Sequence, residues 1–231
     1  MRALDLFSGG GGFSDGFKRA GIEVIAHSEI AEYPSRVLHH RWPETPNLGD
    51  VISAEYNGSV DIVCGGFPCQ DISLANSGSM VGIAGKKSGL WSEFYQQIRR
   101  HNPTFAIIEN SPVLRTKGLD RILSELSEIG YDAEWHCIPA TAVDAPHSRD
   151  RLWVISYPAG LGDRLPEGQV LTRRHFVKHV PEWPTEPRIC RVADGVPDQK
   201  HRLALLGNAV VPTIPFIIAK ALQDARRYIN H

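Results

Sequence analysis

Residues 5–17, "DLFSGGGGFSDGF", join an apolar run to an amphipathic stretch through four consecutive glycines. Glycine permits the tight turn and the close approach to a ligand that such a junction needs, and a helix N-terminus offers free N–H groups. Glu29 closes the next apolar run, where a nucleotide-binding sheet places an acid for the ribose hydroxyls. The stretch therefore predicts a strand, a glycine-rich turn and a helix that bind an adenosine-containing cofactor.

The loop alone leaves the identity of that cofactor open, because NAD and S-adenosylmethionine both contain adenosine. The glycines do not follow the GxGxxG order of the dinucleotide fingerprint, which modestly disfavours NAD. A NAD-dependent oxidoreductase with a catalytic cysteine remains an alternative at this point.

Apolar runs alternate with amphipathic stretches from residue 2 to residue 158. The predicted strands are residues 2–7, 23–29, 60–66, 104–110, 131–140 and 150–158, and the predicted helices are residues 12–21, 31–42, 90–102 and 119–130. This order predicts an α/β fold, a doubly wound and mostly parallel sheet with helices on both faces. We expect one α/β domain over residues 1–158, a small irregular region over 159–199, and a C-terminal segment over 200–231 whose helix returns to the sheet.

The composition is that of an ordinary globular chain. Its 231 residues suffice for one α/β domain, and a net charge of -1 gives no global sign of nucleic-acid binding. The four cysteines are Cys64, Cys69, Cys137 and Cys190. Their spacing fits neither a zinc site nor a disulfide framework, so we expect no metal and a reducing, cytoplasmic setting. The chain lacks a signal peptide and a long apolar run, so we expect no membrane segment.

Residues 65–71, "GGFPCQD", place a cysteine just beyond the predicted strand 60–66. Such sheets carry their active sites at the carboxyl ends of the strands. The two glycines allow an unusual backbone there, and Pro68 fixes φ before the thiol of Cys69. We therefore predict that Cys69 is a nucleophile, whereas Cys64, within the apolar run, is an ordinary core residue.

Charged side chains lie at the ends of two further predicted strands. Glu109 follows five apolar residues, and an acid there is costly to bury without a partner or a role. The alternative is that Glu109 caps the helix predicted over 119–130. Arg149 and Arg151 precede the apolar part of the last strand. We expect a thiol, a carboxylate and guanidinium groups to converge on one edge of the sheet, a set that suits covalent chemistry on a polar heterocycle.

On these residues the chain resembles the cytosine-C5 DNA methyltransferase family over nearly its whole length. Six short stretches match the family's motifs in the right order: "DLFSGGGGF", "GDV", "GGFPCQ", "ENS", "HSRDR" and "GNAVVP". The resemblance implies S-adenosylmethionine as the cofactor. Its binding residues would be Phe7, Ser8, Gly9, Gly11, Gly12, Glu29, Asp50, Val51, Pro68, Asn208 and Ala209.

The resemblance also implies the catalytic roles. Cys69 would attack cytosine C6, Glu109 would hold the base at N3 and the exocyclic amine, and Arg151 would hold O2. Arg149 would support the loop or a phosphate. The target base would be flipped out of the duplex, and residues 71–89 would form a mobile loop that closes over it.

The DNA contacts would come from that loop and from the basic run that begins at Arg173. The candidate DNA-binding residues are Gln70, Ser73, Lys86, Lys87, Arg173, Arg174 and Lys178. Only residues 159–199 are left for target recognition, with "RICRVADGVP" as a reduced form of the motif that precedes the last one. Because so small a region offers few base contacts, we expect a short or degenerate target site.

The chain departs from the family pattern at Ser111, where valine is usual, and at His147, where glutamine is usual. Neither change removes a charge that the chemistry needs. The resemblance implies duplex DNA as the substrate, leaves room for a cognate restriction endonuclease as a partner, and favours a monomer of bacterial or phage origin. An RNA cytosine-C5 methyltransferase and a non-catalytic DNA-binding relative remain alternatives.

Overall fold

A computed structural model of the chain describes residues 1–68, 89–179 and 198–229. Its strands are β1 (Arg2–Leu6), β2 (Glu23–Ser28), β3 (Ile62–Gly65), β4 (Phe105–Asn110), β5 (Tyr131–Pro139) and β6 (Asp150–Pro158). Its α-helices are α1 (Gly12–Arg19), α2 (Glu32–Arg41), α3 (Leu90–His101), α4 (Leu119–Glu128), α5 (Arg173–His179), α6 (Gln199–Asn208) and α7 (Thr213–Ala225). The strands and helices predicted up to residue 158 are all present, with bounds shifted by one or two residues.

The six strands form one sheet in the order β2-β1-β3-β4-β6-β5. Strands β1 to β4 pair in parallel, and β6 runs antiparallel to both β4 and β5. The chain moves from β1 to β2 on one side and then to β3 on the other. This reversal places the topological switch point between β1 and β3, at the edge where the parallel strands end. We call that edge the carboxyl edge.

The direction of β6 decides which residues reach the carboxyl edge. Leu152 of β6 pairs with Asn110 at the end of β4, so the beginning of β6 lies beside the end of β4. A parallel last strand would have carried Arg149 and Arg151 to the opposite edge. The apolar pattern of residues 150–158 predicts a strand but contains no information on its direction.

Two apolar layers cover the two faces of the sheet. One packs α1 and α7 against the sheet, and the other packs α3 and α4. Successive residues of β3 alternate between the layers, with Cys64 on the α1 and α7 side. The prediction that Cys64 is a core residue is confirmed, and burial raises the pKa of its thiol well above the ordinary value.

Part of the predicted irregular region packs into the same domain. After β6 the chain forms a 3-10 helix, Gly162–Arg164, and then α5. The buried carboxylate of Glu134 accepts the N–H groups of Val170 and Leu171, each at 2.8 Å. Both residues belong to the layer that contains α1 and α7. The division of the chain at residues 158 and 199 stays a prediction.

The C-terminal helix returns to the sheet, as the sequence predicts. By length and composition the segment Gln199–Tyr228 is apolar enough to cross a membrane. It consists, however, mainly of α6 and α7, and nine of the thirteen residues of α7 are buried. The burial of α7 against α1 is typical of a core helix.

Candidate active site

The glycine-rich turn leaves β1 through residues with positive φ. Gly9 has φ 54 and Gly11 has φ 79, values that glycine adopts without strain. Phe7 also has a positive φ of 53, which is rare for an aromatic residue and marks a strained position. Its ring stacks on Phe94 of α3 with centroids 6.3 Å apart. The turn is therefore held in one conformation beside the carboxyl edge.

Glu29 is fixed next to this turn. Its carboxylate accepts the N–H of Gly9 at 2.9 Å and the N–H of Ala31 at 2.7 Å. The side chain of Asn47 accepts the Glu29 N–H at 3.0 Å and donates to the Glu29 carbonyl at 2.9 Å. A carboxylate has about four lone-pair sites, so both oxygens of Glu29 retain acceptor capacity. The sequence predicted Glu29, but it contained no signal for the role of Asn47.

Asp50 and Val51 follow this region at the same edge. The Ser28 hydroxyl donates to the Gly49 carbonyl at 2.8 Å, which ties the segment to the end of β2. Asp50 accepts the N–H of Ile52 at 3.1 Å, and Val51 is buried. The structure therefore brings Asp50 and Val51 close to the strand that leads to Glu29.

A buried polar group lies beneath the turn. The Ser14 hydroxyl donates to Asp5 at 2.6 Å and lies 2.8 Å from Nε2 of His27. With its proton donated to Asp5, the Ser14 oxygen accepts from His27. Burial raises the pKa of Asp5 to about 7 and lowers the pKa of His27 to about 4. These buried contacts join the start of α1 to β1 and β2, and they were not predicted from the sequence.

The end of α6 and the chain between α6 and α7 cover the outside of the turn. A Cβ at Gly12 would lie 2.5 Å from the carbonyl oxygen of Val210, and a Cβ at Gly10 would lie 3.3 Å from Leu205. Asn208 and Ala209 stand between these two contacts, so the structure brings the predicted residues to the turn. Glycine is needed at position 12 because another backbone approaches so closely there.

Glu109 and Arg151 form an ion pair at the carboxyl edge. The Nε atom of Arg151 lies 2.9 Å from Oε1 of Glu109, and Glu109 is buried at the end of β4. Burial raises the pKa of Glu109 to about 7, although the charges of Arg151 and Arg149 act in the opposite direction. Near neutral pH the carboxyl group is thus divided between its neutral and charged forms, and it can donate as well as accept.

The alternative interpretation of Glu109 as a helix cap is wrong. Helix α4 begins after Gly118, and no side chain among the described residues caps it. Arg149 lies near Glu109 and Arg151 and donates to the carbonyl of Gly207. The predicted convergence of a carboxylate and guanidinium groups on one edge is confirmed.

The glycines before Cys69 act through close approach and not through an unusual backbone. Neither Gly65 nor Gly66 has a positive φ, so that expectation is wrong. A Cβ at Gly66 would lie 2.5 Å from Oε2 of Glu109, and a Cβ at Gly65 would clash with the Leu6 carbonyl. The chain that leads to Cys69 therefore passes directly against the Glu109 carboxylate.

Asn110 holds this chain in place. Its Nδ2 donates to the carbonyl of Phe67 at 3.0 Å, and its Oδ1 accepts the N–H of Ser111 at 2.8 Å. Asn110 is buried, and Phe67 precedes the half-buried Pro68. Sequence reasoning missed this function because the acceptor is a backbone carbonyl distant in sequence, which leaves no signal in the residue pattern.

Several predicted residues lie outside the described residues. These are Cys69, Gln70, Ser73, Lys86 and Lys87, together with the stretch "RICRVADGVP". Within residues 1–68, 89–179 and 198–229, no three His, Cys, Asp or Glu side chains are grouped to hold a metal ion.

The structure does not bring Arg173 and Arg174 to the carboxyl edge. Helix α7 begins beside the turn and runs along α1, which places its last turn about 20 Å away. His175 of α5 lies 3.7 Å from Asp224 in that last turn, and Arg174 pairs with Glu167 at 3.3 Å. Both arginines thus lie on the part of the domain farther from Glu109. Their contact with DNA, and that of Lys178, stays a prediction.

Residues 1–176 match the sequence model of the family described as C-5 cytosine-specific DNA methylase. The type II methyltransferase M.CviJI of Paramecium bursaria Chlorella virus IL3A is 28% identical over 217 residues, which are 92% of this chain and 56% of that protein. The type II methyltransferase M2.BsuMI of Bacillus subtilis (strain 168) is 30% identical over 164 residues, 68% of this chain and 42% of that protein. The chain thus spans about half the length of these curated relatives.

Solved structures share the fold. The Entamoeba histolytica methyltransferase EhMeth has a TM-score of 0.69 at 15% identity, with 97% of this chain and 98% of that chain covered. A putative DNA modification methyltransferase encoded within an Escherichia coli prophage has a TM-score of 0.61 at 22% identity, with 86% of this chain and 56% of that chain covered. The predicted fold class, an α/β methyltransferase sheet, is confirmed.

Proposed function

Because the chain belongs to the C-5 cytosine-specific DNA methylase family, we propose that it methylates cytosine at C5 in duplex DNA, with S-adenosylmethionine as the methyl donor. One observation supports this most: the buried Glu109 and Arg151 pair, 2.9 Å apart, lies against the glycines that lead to Cys69. A base placed between these groups would meet a nucleophile on one side and polar contacts along its edge. The curated relatives are named type II methyltransferases.

The residues of the turn suit the proposed cofactor. The carboxylate of Glu29 is held by two N–H groups and retains lone pairs for two neighbouring ribose hydroxyls. The half-buried Phe7 offers apolar surface for an adenine, and the buried Val51 belongs to the apolar layer against which Phe7 packs. When bound, S-adenosylmethionine supplies an electrophilic methyl group.

Cys69 performs the covalent step. Cytosine C5 is a poor nucleophile, so the Cys69 thiolate adds to C6, forms an S–C6 bond and moves an electron pair toward C5. Transfer of the methyl group to C5 leaves S-adenosylhomocysteine as the other product. Water then accepts the C5 proton, and the electron pair of that C–H bond re-forms the C5–C6 double bond as the S–C6 bond breaks and releases the thiolate. Protons and electrons balance over the two steps, and Cys69 ends unchanged.

Glu109 and Arg151 stabilise the charge that this addition creates. With a pKa of about 7, Glu109 is able to donate a proton to N3 and to accept from the exocyclic amine. Arg151 holds O2 and stabilises the negative charge that develops on the ring. Asn110 positions the chain that carries Cys69 through its bond to the Phe67 carbonyl.

The proposal includes base flipping, because C5 and C6 are not accessible within a duplex. It also includes a short or degenerate target site, since few residues are available for base contacts. Contacts from Gln70, Ser73, Lys86 and Lys87, a restriction endonuclease partner, a monomeric state and a cytoplasmic location stay predictions.

The test is expression in a host that lacks cytosine methylation, followed by sequencing that reads 5-methylcytosine base by base. We expect 5-methylcytosine at one short motif, and none with a Cys69→Ser variant. Unmethylated genomic DNA would contradict the proposal, and methylated tRNA in the same cells would identify an RNA methyltransferase instead. A strict site of six or more base pairs would contradict the short-site prediction alone.

A further inference from the structure

Arg149 connects two parts of the molecule that lie 58 residues apart in the sequence. Its Nη1 donates to the carbonyl of Gly207, in the last turn of α6. Its guanidinium also lies close to the ion pair at the carboxyl edge. Burial and the charge of Arg151 lower the pKa of Arg149, and the charge of Glu109 raises it. One side chain thus lies between the proposed base site and the chain over the glycine-rich turn.

The chain it contacts lies over the glycine-rich turn. Residues 205–212 cross the turn with Leu205 against Gly10 and Val210 against Gly12. None of the ten residues of α6 is buried, although His201 stacks on Tyr33 with ring centroids 5.4 Å apart. Arg149 therefore adds a polar contact at the end of this helix, in addition to the aromatic one. Its own backbone is anchored, because its carbonyl accepts the N–H of Ala140 at 3.0 Å.

We propose that Arg149 is a positioning residue for the cofactor pocket, which holds residues 207–210 over the glycine-rich turn. It thereby couples the affinity for S-adenosylmethionine to the base site that contains Glu109 and Arg151. The inference rests on the proposed function, and it departs from a role for Arg149 at the loop or at a phosphate. An arginine suits this task because its planar fork serves a carbonyl and a neighbouring charge at the same time.

The test compares two arginines of the same site. In the full chain, Arg149→Met keeps the length of the side chain and removes its charge and donors, and Arg151→Met is the matched control. S-adenosylmethionine affinity is measured by calorimetry without DNA. Hydrogen exchange without cofactor reports the amides of residues 205–212, except Pro212, which has no N–H. We expect Arg149→Met to bind about tenfold more weakly, the effect of one hydrogen bond from a charged donor. We also expect faster exchange at residues 205–212.

The control should separate the two roles. Arg151→Met should bind S-adenosylmethionine as the wild type does and exchange normally at residues 205–212, while losing methyl transfer. Wild-type affinity and exchange in Arg149→Met would overturn the inference, as would an equal loss of affinity in Arg151→Met. If Arg149→Met does not fold, Arg149→Lys takes its place and should show a smaller change in both readouts. A wild-type chain that binds no S-adenosylmethionine would contradict the proposed function. Hydrogen exchange would still test whether Arg149 holds residues 205–212 in place.

Discussion

Replacing Glu109 by glutamine should make the stability of the protein less dependent on pH. Glutamine keeps the shape of the side chain and cannot ionise. Burial raises the pKa of Glu109 from 4.5 to about 7, so the folded state binds this proton more tightly than the unfolded state. A shift of this size corresponds to about 3 kcal/mol.

The sign follows from the two protonation states. Below pH 4.5 the carboxyl is neutral in both the folded and unfolded chains, so the folded state bears no free-energy penalty for burying a charged carboxylate. As pH rises from 4.5 toward 7 the unfolded chain releases the proton first, so the folded state loses stability. Above pH 7 the penalty is complete. Between pH 5 and pH 8, Glu109→Gln should gain about 2.5 kcal/mol of unfolding free energy relative to the wild type.

Urea unfolding, followed by tryptophan fluorescence at pH 5 and pH 8, measures this difference. Subtracting the unfolding free energy of the wild type from that of the variant at each pH removes the contribution of all other titratable groups. The matched control is Glu128→Gln, at an exposed glutamate in α4, and its difference should be the same at both pH values. The same Glu109→Gln protein should lose about 10²- to 10⁴-fold in methyl transfer, because the proton donor for N3 is gone. A difference for Glu109→Gln that does not change with pH would refute the reasoning.

Three further substitutions probe the supports of the site. Gly12→Ala places a methyl group 2.5 Å from the Val210 carbonyl. Thermal unfolding should show a loss of about 1–3 kcal/mol, and calorimetry should show weaker S-adenosylmethionine binding. Gly162→Ala, where a Cβ meets only ordinary contacts, should change neither quantity. Asn110→Ala breaks the bond that holds the chain before Cys69, so kcat should fall by about tenfold or more with cofactor affinity unchanged; weaker cofactor binding would contradict this role. Ser14→Ala leaves a buried carboxyl without its donor, so unfolding in urea should show a loss of about 1–3 kcal/mol, and an unchanged midpoint would show that the contact does not stabilise the fold.

Much of the fold was predictable because the periodic spacing of apolar residues and the positions of glycines are local properties of the sequence. The parallel strands β1 to β4 and their helices follow from residues 2–128 without tertiary information. The antiparallel direction of β6 was not predictable, since the apolar pattern of this nine-residue strand does not reveal its direction. The location of α5 was also missed: a basic run indicates exposure, and it does not reveal that His175 inserts toward α7.

The candidate site likewise contains residues that were predictable and contacts that were not. Glu29, Glu109 and Arg151 were predictable, because charged residues at strand ends are costly unless they have a partner or a role. The contacts of Asn110 and Arg149 were not, since each reaches a backbone carbonyl that is distant in sequence. Carbonyl acceptors are present at every residue, so the sequence contains no signal for which one is used.

The most direct test of the central claim follows the methyl group itself. Purified wild-type chain and its Cys69→Ser variant are each incubated with duplex DNA and methyl-labelled S-adenosylmethionine, and the DNA is digested to nucleosides. We predict label in 5-methyl-2′-deoxycytidine from the wild type and a loss of about 10³-fold or more in the variant, because a serine hydroxyl is a far weaker nucleophile than a thiolate. Label at C5 of cytosine at the wild-type rate in the Cys69→Ser reaction would contradict it.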